Sequence, residues 1–141
     1  MTPKEECEEL MNTVLPALIQ LLEKNGEFFP VGAVMHDNRE IAFTAFYDGN
    51  EKPESQEVID NLVMTHKSSA DSGEIVASCI AFDTRVTTDV YSGDAINFSL
   101  EHRDGFSAEV VFPYELKKKL FKNTISLSTP MAFENSRKIF L

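Results

Sequence analysis

Residues 95–114 constrain the fold more than any other stretch, because their apolar parity specifies a hairpin, its register and its loop together. Ile96, Phe98, Leu100 and His102 alternate with Asn97, Ser99 and Glu101; beyond Arg103-Asp104-Gly105, Phe106, Ala108, Val110 and Phe112 alternate with Ser107 and Glu109. A two-residue Asp104-Gly105 loop would oppose Leu100 to Glu109 and turn Phe106, Val110 and Phe112 to the wrong face, since a one-residue slip inverts a strand. A three-residue loop with Gly105 left-handed restores parity, pairing His102 with Phe106, Leu100 with Ala108, Phe98 with Val110 and Ile96 with Phe112. One face of this hairpin is then apolar and the other wet.

The rest of the chain supplies the partners. Thr2-Pro3-Lys4-Glu5 announces a helix by a capping box with Pro in the first turn; Leu10, Met11, Val14, Leu15, Leu18, Leu21 and Leu22 follow helical spacing to Asn25-Gly26, and Pro16 is expected to kink or divide it. Residues 28–35 and 40–47 predict a second hairpin turning at Asp37-Asn38. It carries Val34, Ile41, Phe43 and Tyr47 on one face and Ala33, Met35, Ala42 and Phe46 on the other, so it belongs at the centre of a sheet or under cover on both sides. Asp48-Gly49-Asn50 leads to a helix whose start is marked by Ser55 or Pro53, with a stripe of Val58, Ile59, Leu62, Val63 and His66 and an end before Gly73. Residues 75–86 read as a long strand with Val76, Ile80 and Phe82 on one face and Ile75, Ala77, Cys79 and Ala81 on the other, whose small side chains call for close packing.

The expected fold is α+β, a single antiparallel sheet of about five strands with packed helices, ordered α-β-β-α-β-β-β. It is read as one domain over residues 1–141, with residues 2–114 the main fold and residues 115–141 an extension docked on it. This element order is similar to that of profilin-like and roadblock-like domains. Phe29-Pro30-Val31-Gly32, Tyr47-Asp48-Gly49, His102-Arg103-Asp104-Gly105 and Phe112-Pro113-Tyr114 also resemble the strand, turn and hairpin signatures of a group of small uncharacterised prokaryotic proteins. Neither likeness implies an activity.

Composition narrows the partners. A net charge of −10 opposes binding to nucleic-acid phosphates or to an anionic membrane, and the basic run Lys117-Lys118-Lys119 with Lys122 reads as a solvated face. The 43% apolar content with eleven Phe supports a folded globule. With only Cys7 and Cys79, no disulfide framework is expected, and Cys79 reads as a small buried hydrophobe. The first residues lack a leader pattern and no stretch approaches membrane-spanning length, so the expected location is cytoplasmic.

Chemistry is sparse. His36, His66 and His102 have no metal-site spacing, His36-Asp37 fits a turn better than a ligand pair, and no cofactor fingerprint or nucleophile elbow occurs, so neither metal nor cofactor is expected. Glu101-His102-Arg103-Asp104 unites acid, base and cation, but alternation sends Glu101 and His102 to opposite faces. The leading expectation is a non-catalytic domain acting by association, a homodimer using a sheet edge, the face of Ala77, Cys79 and Ala81, or the region of Phe140 and Leu141. The alternative is a small-ligand binder or enzyme with polar anchors His102, Arg103, Asp83, Arg85 and Tyr114. A third reading is an acidic protein that neutralises a basic partner.

Overall fold

The computed structural model describes residues 1–45, 54–89 and 91–141. Helix α1, Pro3–Asn25, opens on the expected box: Thr2 accepts the Glu5 backbone amide and the Glu5 side chain accepts the Thr2 amide, both at 3.1 Å. It closes on Gly26, whose φ of 76° suits a residue without Cβ. Pro16 lies inside α1 without dividing it. Pro16 and Asn12 are both exposed, so the carbonyl of Asn12, which the proline leaves without a helical donor, can be met by water.

A seven-stranded antiparallel sheet follows, two strands more than the sequence suggested. Its strands are β1 (Val31–His36), β2 (Ile41–Ala45), β3 (Ile75–Thr87), β4 (Ser92–His102), β5 (Ser107–Lys118), β6 (Asn123–Leu127) and β7 (Met131–Phe133); α2 (Ser55–Asp71) joins β2 to β3. The order is β2-β1-β3-β4-β5-β6, with β7 also on β5. The additional strands come from the C-terminal extension, where β6 pairs the end of β5 and β7 pairs Glu109, Val110 and Val111.

The β4–β5 register is the one parity requires: Ile96 faces Phe112, Phe98 faces Val110 and Leu100 faces Ala108, while the His102 amide donates to Phe106 O at 2.8 Å across a loop whose Gly105 has φ 110°. The rings of Phe98 and Phe112 meet edge-on at 5.7 Å. The β1–β2 hairpin departs from expectation. Ala33 pairs Phe43, Val34 pairs Ala42 and Met35 pairs Ile41, so Ala33, Met35, Ile41 and Phe43 share a face. The loop has three residues, Asp37-Asn38-Arg39, closed by the Arg39 amide on His36 O at 2.7 Å and the His36 amide on Glu40 O at 2.8 Å. Its left-handed residue is Arg39, φ 72°, so no glycine advertised it. β1 is central and buried, but β2 is an edge strand and only half-buried. Phe46, Tyr47, Asp48-Gly49-Asn50 and Pro53 lie outside the described residues.

α1 covers one face of the sheet. Leu10, Val14, Leu18 and Leu22 have no exposed surface and pack on Ala33, Ala77, Cys79, Ala81, Ile96, Phe98 and Leu100; each such leucine is worth roughly 1.5–3 kcal/mol. Ala77, Cys79 and Ala81, expected at a dimer interface, are therefore already covered within the chain: their small side chains admit α1. α2 covers the opposite face through Val58, Leu62 and His66, and closes to the sheet over Gly32. A Cβ there would stand 2.5 Å from both Leu62 Cδ2 and Thr44 Oγ1. Gly32→Ala is therefore expected to push α2 outward and cost about 1–3 kcal/mol, read as a lower urea midpoint with an unchanged m-value.

Candidate functional site

Among the described residues, three clusters of polar side chains bear on function. The first is the end of the sheet that carries the β1–β2 and β4–β5 loops. Buried Glu6 of α1 accepts Arg39 Nε on Oε2 at 2.7 Å and His102 Nε2–H on Oε1 at 3.1 Å; the Asp104 amide donates to His102 Nδ1 at 3.0 Å, and Arg103 reaches Asp37 at 3.1 Å. Burial pushes the Glu6 carboxyl up, but the hydrogen bonds from Arg39 and His102 outweigh it and hold it below the usual range. His102 is 0% exposed with both ring nitrogens engaged, so it ties α1 to the β4–β5 loop, while Arg39 ties the β1–β2 loop to the same carboxylate.

The second cluster lies farther along the same face. Tyr114 donates to Asp83 at 2.8 Å, and exposed Arg85 sits 3.7 Å from Asp94. Asp83 pairs with Ile96 while His102 pairs with Ala77, six strand positions away, or roughly 20 Å. His102 and Arg103 thus stay apart from Asp83, Arg85 and Tyr114. Burial, opposed by the Tyr114 hydrogen bond, raises the Asp83 carboxyl to about 6.

The third cluster is on the α2 face and holds a cavity. There the β4–β5 hairpin is not wet as expected, because residues 137–140 cross it as a strap. Glu101, 3% exposed, accepts the successive backbone amides of Lys138, Ile139 and Phe140 at 3.0–3.2 Å on Oε1, the first two also reaching Oε2. Arg137 anchors the strap to His102 O at 2.7 Å. Beside it, Glu109 accepts Asn97 at 3.2 Å and Asn135 at 2.9 Å, and Ser107 donates to Asn135. Deeper, His66 stands between two hydroxyls, 2.7 Å from Ser78 Oγ at Nδ1 and 2.7 Å from Thr44 Oγ1 at Nε2. Burial lowers the imidazole to about 4, so it is neutral near pH 7.

Between α2, β3–β5 and the strap lies a cavity of about 200 Å³. Ile59, Val63, Ile80, Phe82 and Ile139 form its apolar wall, and Gln56, Ser78, Ser99, Glu101, Glu109 and Lys138 provide its polar groups. Among the described residues, no group of three His, Cys, Asp or Glu is placed to hold a metal. Burial pushes the Cys7 thiol up to about 12 and raises Cys79 further, which removes both as nucleophiles near neutral pH. Comparisons with family models, curated proteins and solved structures find no match to this chain.

Of the residues expected from sequence, none of His102, Arg103, Asp83, Arg85 and Tyr114 lines this cavity. The signal that could have found it is Ser78, a lone hydroxyl in the run Val76-Ala77-Ser78-Cys79-Ile80; His66, read as part of the apolar stripe of α2, meets that hydroxyl from behind without lining the cavity.

Glu101→Ala would leave three amides without an acceptor, so the strap is expected to lift and hydrogen exchange at residues 138–140 to lose protection, with about 2 kcal/mol of stability lost and a smaller loss for Glu101→Gln. A second expectation concerns pH. His66 falls from 6.5 unfolded to about 4 folded, so its contribution is lost as pH drops through that window. Asp83 rises from 3.8 to about 6, so its contribution runs oppositely and is lost as pH climbs. The two offset each other between about pH 4 and 6. Asp83→Asn, which keeps an acceptor for Tyr114, should therefore steepen the acid loss of stability in urea titrations while raising stability at pH 8.

Proposed function

We propose that this chain is a small-molecule-binding domain whose site is the cavity beneath the strap. The observation that carries this reading is the concavity itself, in which five apolar side chains face polar groups that can orient a ligand. A cavity of roughly 150 Å³ holds a benzene ring, so about 200 Å³ takes one ring or a short branched chain with a polar substituent. Glu101 and Glu109 against Lys138 leave the rim one negative charge in excess, and the serine hydroxyls add acceptors. The preferred ligand is therefore apolar with a donor head, an amine or alcohol rather than a carboxylate. The Ser78–His66–Thr44 chain favours binding over catalysis: a histidine with so low a pKa is a poor base near neutrality, and its far side meets a hydroxyl, not a carboxylate.

A series of one-ring amines, alcohols and carboxylates titrated into isotopically labelled protein tests this. Saturable amide shifts confined to residues around Val63, Ile80, Ser99 and Ile139, stronger for amines than for carboxylates, are expected. Val63→Phe, placed on the half-buried cavity side of α2, should weaken binding at least about tenfold with little change in melting temperature. Binding that ignores Val63→Phe, or shifts elsewhere, would remove the cavity reading. Self-association is the second reading, supported by Leu141, 85% exposed beside half-buried Phe140. A dimer in native mass spectrometry that Leu141→Ser dissociates would favour it.

A further inference from the structure

We infer that the β5–β6 hairpin tip docks this protein onto an anionic lipid surface. β4 pairs with β5 only as far as Pro113, so residues 114–118 pair with β6 alone and form a two-stranded arm beyond the main sheet. One side of the arm is spent on the body: Leu116 and Ile125 pack against the α1 core, and Asn123 donates to Leu22 O at 3.3 Å. The tip is not spent. The Lys119 amide donates to Lys122 O at 3.1 Å and closes a turn whose outermost residues are Leu120 and Phe121. Turns of this kind ordinarily carry Gly, Asn, Asp or Ser at those positions, whereas here Leu120 is 88% and Phe121 94% exposed.

The surrounding charge points to the occupant. Lys117, Lys118, Lys119 and Lys122 flank the apolar pair on a chain of net charge −10, all four exposed; the acidic groups nearby are Glu23, 4.0 Å from Lys122, and exposed Glu115 at the base of the arm. The overall sign of the molecule does not cancel this, because charges more than about 8 Å away are largely screened at physiological salt. Area distinguishes a bilayer from a protein partner. A fully covered Phe buries roughly 150–250 Å², so two tip side chains fall far short of the roughly 800 Å² per partner of a stable complex. They do match shallow insertion at a headgroup boundary, with cations above it to meet anionic lipid. No helix among the described residues is long and apolar enough to cross a membrane.

Flotation of the full chain with phosphatidylcholine vesicles, with and without phosphatidylserine, provides the test. Partition should require phosphatidylserine and fall with added salt; Lys118→Glu with Lys119→Glu, and separately Leu120→Ser with Phe121→Ser, should each reduce it by about tenfold or more at an unchanged melting temperature. Absence of partition, equal partition on both vesicles, or partition that survives the Leu120/Phe121 change would overturn the proposal. So would lipid-free oligomers that this change dissociates, since the occupant would then be a second copy of the chain.

Discussion

Seven consecutive residues of β3, Ile75 to Ala81, are buried, and a strand enclosed on both faces can persist only where each face has its own cover and both backbone edges are paired. β1 and β4 take the edges. α1 takes the face of Ala77, Cys79 and Ala81, where small side chains let a leucine-rich helix come close. The other face, with Ser78 and Ile80, is divided between α2 and the strap, two unlike elements that leave the cavity where they fail to meet. The site is thus a consequence of how the second face is closed.

The strap is held by a charge. A carboxylate as buried as Glu101 would ordinarily be costly, and it is tolerated because three successive backbone amides converge on it. Those amides would themselves be orphans in a segment with no helix or strand of its own, so donor and acceptor resolve each other's burial. On the other face of the same end of the sheet, Glu6 satisfies Arg39 and His102 in the same manner and draws a left-handed arginine into the network, offsetting a backbone conformation that costs roughly 1–2 kcal/mol. Both carboxylates join segments far apart in the chain, and neither connection is visible to local pattern.

That locality explains what could be read in advance. The helix caps, the 95–114 register and the long strand follow from parity, Gly105 and the capping box, all contained within a few residues. The β1–β2 faces were inverted because the third loop residue is Arg39, and a left-handed arginine leaves no signature. The Asn97-Ser99-Glu101 face looked solvated because its cover lies some forty residues later at Lys138–Phe140, in a tail whose prolines and asparagines hide any period. His102 and Arg103 drew attention as a dense ionic motif, yet dense ionic groups at turns are often fasteners. The cavity is built instead from isolated residues, Ser78, Ser99 and Val63, whose meaning depends on packing.

Cys7 on α1 and Cys79 on the strand beneath it belong to one interface, and both thiols are free and fully enclosed. A soluble thiol reagent can reach them only when that layer separates. The molecule therefore carries two chemical clocks for the lifting of its longest helix: equal labelling rates would mean the layer opens as a unit, and faster labelling of Cys7 would mean that α1 frays from its capped end while the sheet holds.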